Sequence, residues 1–366
     1  KSSTTGAMTN TSNTMTSGGF SGWGTDFTPP VITQVTPIPN IVASTIPSYI
    51  FNTDVVGTIT SSLGFSTSSS SVVGDNTITF TTLTETTYSG VSVTVTDSSS
   101  AYSNATSIII PDFTIDMISP IATLTYNVNS SGSGKSNYKA GDSLLITATF
   151  NEDMAVTPLP QITITGLGSV IDQDMVRVSA TEYTYTYIIP SGDGAELITF
   201  GVGTDIAGNV LAESPANDNS ISVDNTPPTM TITSSTAGVT TGSTTNDINI
   251  VLVFTPNKNL NNFTVNDITV SNGSLSNFTE NQNDYSATFT PSVDGLCNIH
   301  TAIASFSDAA GNANTVASNT FQWTYDRTVP NLGTLVSIVS NNATTTLAKP
   351  MDTITLTITA SETINP

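Results

Sequence analysis

The sequence predicts an all-β chain of two-sheet sandwich domains joined in tandem, on three observations. The stretch Val223-Asp224-Asn225-Thr226-Pro227-Pro228 recurs as Thr25-Asp26-Phe27-Thr28-Pro29-Pro30, as Ile115-Asp116-Met117-Ile118-Ser119-Pro120 and as Tyr325-Asp326-Arg327-Thr328-Val329-Pro330. Its aspartates are 90, 108 and 102 residues apart, the length of a small β-sandwich. Between them apolar residues alternate with polar ones at period two, as in Leu144, Ile146, Ala148 and Phe150, and helical periodicity is absent. Proline cannot donate to a β ladder and holds the preceding residue extended, so each recurrence ends a strand and re-aims the chain.

Taken in order, residues 1–26 are rich in Ser, Thr, Gly and Asn. Yet Trp23 stands three residues before Asp26, as Phe113, Ile221 and Trp323 stand before their aspartates, so residues that alone would read as a linker tail are expected to carry the last strand of a preceding repeat or an imitation of it. Residues 27–116 form a first repeat, with alternating segments such as Val91-Ser92-Val93-Thr94-Val95. Residues 117–224 form a second, whose clearest strand runs from Leu144 to Phe150, and residues 225–326 a third, which repeats that strand as Ile248, Ile250, Leu252 and Phe254. Residues 327–366 begin a fourth with Ile354, Leu356, Ile358 and Ala360, and two strands cannot bury a sandwich core. The expectation is a piece of a longer array; the alternative is that strands at the two ends pair between copies and build a filament.

Composition narrows the function. Seven Lys and Arg against 28 Asp and Glu give a formal charge of −21, which repels nucleic-acid phosphates and anionic lipid and attracts cations. One cysteine, Cys297, excludes an intrachain disulfide framework, and no apolar run is long enough to span a membrane.

Two pieces of sequence resemble the bacterial immunoglobulin-like repeats of large secreted adhesins and biofilm surface proteins. One is Phe263-Thr264-Val265-Asn266-Asp267-Ile268 with Asn272-Gly273, Tyr285 to Pro291 and Asp308-Ala309-Ala310-Gly311-Asn312; the other is Asp205-Ile206-Ala207-Gly208-Asn209 with the joint after it. The first repeat departs from the pattern, with Asp97-Ser98-Ser99-Ser100-Ala101 where the others have Asp-x-Ala-Gly-Asn. The resemblance implies tandem immunoglobulin-like β-sandwich domains and an extracellular, non-catalytic spacer on a cell-surface protein, often stiffened by calcium. It implies no ligand.

The Asp-x-Ala-Gly-Asn turn has a structural role without any metal: aspartate closes an Asx turn and Gly-Asn supplies positive φ. In an immunoglobulin-type sandwich this turn, the turn after the second strand and the preceding joint share a pole. Asp205 should therefore converge with Asp116, Glu152 and Asp153, and Asp97 with Asp26 and Asp54. Clustered carboxylates repel one another unless a cation sits among them, and hard oxygen ligands suit Ca²⁺. In the third repeat only Asp224 and Asp308 remain, because Pro256 and Lys258 occupy the turn, and a lysine disfavours a cation; Asp326 and Glu362 remain at the fourth. Solvated capping aspartates are the alternative throughout.

Other matches carry less. Gly132-Ser133-Gly134-Lys135-Ser136 lacks the glycine and the helix of a phosphate-binding loop, so it reads as an inter-strand loop. Gly201 to Ile206 resembles one calcium-binding nonapeptide, where a β-roll needs several. His300 and Cys297 lie in an expected strand from Leu296 to Phe306 with no second ligand pair and no nucleophile elbow. Seven Asn-x-Ser/Thr sequons carry no signal in a chain this rich in these residues.

The sequence thus points to a structural stalk, not an enzyme, since an acid–base pair, a nucleophile and a pocket-forming insertion are missing. Its partners would be neighbouring repeats or copies of itself. A carbohydrate-binding or ice-binding module is the remaining alternative, which would need a flat Thr ladder or an exposed aromatic platform, and Tyr183, Tyr185 and Tyr187 alternate on one strand face.

Overall fold

A computed structural model describes residues 28–98, 103–127, 137–217 and 219–364. Trp23, Asp26 and the rest of the expected N-terminal strand lie outside the described residues, as do the loop Gly132 to Ser136 and Ser99 to Tyr102. The described residues are strands and connecting loops, with one 3₁₀ turn at Val265–Asp267.

Two four-stranded antiparallel sheets make up residues 122–223. One orders strands Ala122–Tyr126, Ser143–Phe150, Glu182–Ile188 and Val176–Arg177; the other orders Ser169–Asp174, Gln161–Thr165, Gly194–Phe200 and Ser220–Val223. The cause is visible in the strand Ser143–Phe150. Leu144, Ile146, Ala148 and Phe150 are at most 3% exposed, whereas Leu145 between them is 40% exposed. Each large apolar side chain so buried contributes about 1.5–3 kcal/mol. Tyr183 and Tyr187 belong to this core and Tyr185 packs against it, so the tyrosine face is turned inward.

Residues 230–325 repeat the arrangement. Strands Met230–Ser234, Ile250–Pro256, Asp284–Pro291 and Gly273–Asn281 form one sheet; the second comprises Thr244–Thr245, Phe321–Tyr325, Gly295–Thr301 and Ile268–Ser271. Phe254, Phe289, Cys297, Phe321 and Trp323 fill the space between them. Ile248 corrects the sequence reading: it is 71% exposed and precedes the strand, whose inward face begins at Ile250. The strand bearing Cys297 and His300 ends at Thr301 rather than Phe306.

The first domain is built from three three-stranded sheets. They order Ile32–Thr36, Ser48–Thr53 and Gly74–Thr79; Gly57–Ser61, Ser92–Asp97 and Ala105–Ile109; and Ile41–Val42, Phe113–Ile115 and Thr87–Tyr88. Tyr49, Phe51, Phe80 and Phe113 dominate its core. After the third domain, strands Leu332–Ser340 and Ile354–Ala360 form a two-stranded hairpin. Leu356 and Ile358 are 55% and 50% exposed there, although they continue the pattern that buries Ile146 and Ala148.

The second and third domains share a device that the sequence reading missed. The Asn217 carboxamide accepts from Leu124 N–H at 2.9 Å and donates to its carbonyl at 3.4 Å; Asn319 does the same for Ile232 at 2.7 and 2.9 Å. Each imitates a neighbouring strand for one residue and so occupies the open edge of the sheet. Asn319→Ala should destabilise the third domain by about 0.5–1.5 kcal/mol for each hydrogen bond lost. Urea unfolding checks this, with exposed Asn281→Ala as a control expected to change little.

Candidate metal centre at the domain joints

The strand that ends one domain passes directly into the pole of the next. At every described joint the aspartate closes an Asx turn, accepting at its Oδ1 the N–H two residues on: Ile118 to Asp116 at 3.1 Å, Thr226 to Asp224 at 3.0 Å and Thr328 to Asp326 at 2.9 Å. The next domain then holds the same residue by its main chain. Asn209 Nδ2 donates to the Asp116 carbonyl at 2.9 Å, and Asn312 Nδ2 to the Asp224 carbonyl at 2.8 Å.

Both asparagines end the Asp-x-Ala-Gly-Asn turn. Asp205 Oδ1 accepts from Gly208 and Asn209 N–H at 2.7 and 2.8 Å, and its Oδ2 from Asn209 Nδ2 at 2.8 Å. Asp308 Oδ1 accepts from Asn312 N–H and its Oδ2 from Asn312 Nδ2 in the corresponding way, while its other Oδ1 bond comes from Ala310 N–H, one residue before the glycine. Gly208 and Gly311 take φ of 102° and 80°, where a side chain would be strained. The asparagines do not: the expected positive φ belongs to glycine alone, and asparagine serves by reaching across the joint.

The turn also meets the preceding domain. Ala43 N–H donates to the Ala207 carbonyl at 3.1 Å, and Lys139 Nζ to the Gly311 carbonyl at 2.6 Å. Ala43 and Lys139 each follow a residue paired in parallel with its domain's last strand, Val42 with Ile115 and Tyr138 with Val223.

Asp116, Glu152 and Asp205 come together at the first of these poles, each presenting an oxygen within 4.8 Å of the others. Asp205 is 1% exposed, and Glu152 and Asp116 are half-buried. Burial, then the charges of Asp116 and Asp205, push the Glu152 carboxyl up to about 7. A groove of about 480 Å³ opens beside Asp116 and Glu152, lined also by Glu85, Thr86 and Thr114. The donor set is all carboxylate oxygen, which suits a hard divalent cation.

The remaining expected ligands lie elsewhere. Asp153 is exposed and takes no part in the cluster. Asp54 accepts Val31 N–H at 2.8 Å, the bond that Asn151 makes to Ile121 and Asn257 to Thr229. It therefore anchors the first strand, and the residue in the position of Glu152 is Val55. Asp97 is buried opposite Gly57 in a strand pair, and its expected companion Asp26 is outside the described residues.

Asp224 and Asp308 do converge, but on Lys258. Its ammonium lies 2.8 Å from both Asp224 oxygens, 2.6 Å from the Thr226 carbonyl and 3.3 Å from Asp308 Oδ2. Lys258 stands in the position of Glu152, two residues after the strand residue that pairs with the first strand in each domain. Burial opposes its charge, but the bonds to Asp224 and Asp308 outweigh it and raise the pKa. The same pole thus holds three carboxylates in one domain and a bound ammonium in the next.

Residues 224–325 match the family model of the bacterial Ig-like domain. This third domain is a bacterial Ig-like domain. The Ig-like match begins at the joint aspartate Asp224 and closes with the last strand at Tyr325. Among solved structures the chain is similar to the adhesin FdeC of Escherichia coli, at 14% identity and TM-score 0.36 over 80% of this chain and 96% of that one. It is also similar to the bacterial integrin-binding protein invasin, at 13% identity and TM-score 0.32 over 85% of this chain and 62% of that one. A bacterial ice-binding adhesin gives 15% identity and TM-score 0.38 over 81% and 97%. No curated protein matches the chain.

Two outcomes follow from the geometry. Asp205→Ala should lower stability by about 1–3 kcal/mol even in chelator, measured by thermal unfolding, because the part-buried N–H groups of Gly208 and Asn209 lose a charged acceptor. The sign for Glu152 is unusual for a carboxylate. Its folded pKa lies above the unfolded value, so ionisation disfavours the folded state, and metal-free protein should lose stability as pH rises from about 4.5 to about 7. Glu152→Gln should flatten that part of the pH profile.

Proposed function

We propose that the chain is a non-catalytic structural spacer of an extracellular cell-surface protein, in which Ig-like domains set length and the joints set stiffness. The joint after Asp116 holds Ca²⁺ through Asp116, Glu152 and Asp205. The observation that carries this reading is the cation at the corresponding place one domain later, where the Lys258 ammonium sits between Asp224 and Asp308. The pole is shaped for positive charge, and where lysine is replaced by Glu152 that charge must come from solution. Bound Ca²⁺ would neutralise the carboxylates and tie Asp116, at the end of one domain, to two ligands of the next.

The first test is thermal unfolding of the whole chain in EDTA, Mg²⁺ and Ca²⁺, with small-angle scattering alongside. Ca²⁺ should raise the melting temperature of the second domain and straighten the particle; mass action gives about 2.7 kcal/mol at a hundredfold excess over Kd. Mg²⁺, which demands a smaller octahedral site, should do less. Identical curves in Ca²⁺ and EDTA would leave the three carboxylates as turn-formers alone.

A second reading, a filament subunit that exchanges strands between copies, is favoured by the exposed apolar residues of the hairpin Leu332–Ser340 with Ile354–Ala360. Sedimentation velocity separates the two. Concentration-dependent association lost in Leu356→Thr supports exchange, and a monomer at all concentrations rejects it.

A further inference from the structure

The equivalence of Glu152 and Lys258 has a consequence for the joint after Asp224. Two carboxylates and an ammonium leave one net negative charge there, the same as three carboxylates with a divalent cation at the joint after Asp116. We propose that Lys258 is a tethered cation that locks the joint after Asp224 whatever ions are in solution, so that adjacent joints of one chain differ in their dependence on divalent cations. The contrast between joints rests on the calcium reading above; the role of Lys258 does not.

The contacts are those of a cross-link between domains. Asp224 follows the last strand of the second domain, while Lys258 and Asp308 belong to the third, so the ammonium joins the exit of one to the pole of the next. The bond to the Thr226 carbonyl fixes the connecting residues as well. Both partners are shielded, with Lys258 23% and Asp308 1% exposed, so the pair is less screened by water and salt than a surface ion pair. Lys139 reinforces the joint from the other side through the Gly311 carbonyl. The chain has only seven basic residues, and two of them meet at the joint whose pole lacks a third carboxylate.

On the exit side of the same joint, Asp193 accepts hydrogen bonds from Asn225 N–H and the Thr226 hydroxyl. Asp294 repeats this with Arg327 and Thr328 at the joint after. That staple keeps the exit segment on its own domain, so the angle to the next one is set by the contacts that cross the joint, those of Lys258, Asn312 and Lys139.

The test is distance measurement between spin labels in the full chain, in a Cys297→Ala background. One pair at Thr60→Cys and Thr186→Cys reports on the joint after Asp116; another at Thr186→Cys and Thr290→Cys reports on the joint after Asp224. In the parent chain the second pair should give one narrow distribution in both EDTA and Ca²⁺. Lys258→Met, which keeps the aliphatic stem, should broaden it in both, and an unchanged width in this variant would overturn the proposal. Lys258→Glu, which restores the third carboxylate, should broaden it in EDTA and narrow it again in Ca²⁺. Failure of Ca²⁺ to narrow it would overturn the equivalence of lysine and ion. If the first pair ignores Ca²⁺ while Lys258→Met still broadens the second, the calcium reading fails and the tethered lysine stands. Circular dichroism spectra matching the parent establish that each variant is folded.

Discussion

Two joints rest on one hold: an aspartate at the end of the first and of the second domain whose main-chain carbonyl is bound by an asparagine of the next domain. Asn209 holds Asp116 and Asn312 holds Asp224, and both asparagines are fixed by the aspartate that opens their own turn. A strand that leaves a sheet exposes polar groups that no longer have a ladder partner. Here the following domain supplies the partner, so the direction of the chain is set where its pairing stops. The Asx turn and the proline after it then leave little freedom to the residues between.

That arrangement gathers negative charge in a small volume, and the chain answers it differently at each pole through one position. It is Val55 in the first domain, Glu152 in the second, Lys258 in the third and Glu362 in the hairpin beyond, where Asn331 and Ser361 bond as Ile121 and Asn151 do. Valine leaves the position uncharged, glutamate adds a third carboxylate, and lysine supplies the counter-charge. The strand pairing and hydrogen bonds around the position recur in the second and third domains, so the change from glutamate to lysine alters its charge within one pattern of contacts. One scaffold in this way carries joints of different charge.

The fold was legible because burial in a sandwich follows a period of two. Leu144, Ile146, Ala148 and Phe150 announce an inward face before any contact is known, and the structure buries all four. Ile248 fits the same spacing and is exposed, because spacing does not say where a strand begins. Asp54 shows the corresponding limit for charged groups. Its place after a second strand resembles that of Glu152, but one residue of offset turns a candidate ligand into an anchor for the first strand. The Asn217 and Asn319 side chains that mimic a strand gave no sequence signal, since asparagine is common here and its partners lie 93 and 87 residues away.

By itself the sequence determined the all-β class, the spacing of the recurring Asp/Pro stretches and the acidic character of the chain. These depend on local spacing and on composition. Only the tertiary structure decided which acids share a pole. Asp116, Glu152 and Asp205 are separated by 36 and 53 residues, and their meeting depends on strand register that alternation leaves free by two residues in either direction. It also decided that Lys258 points into its pole and binds both aspartates, because a lysine's side chain can equally extend into water, and only the geometry of the surrounding oxygens holds it in place.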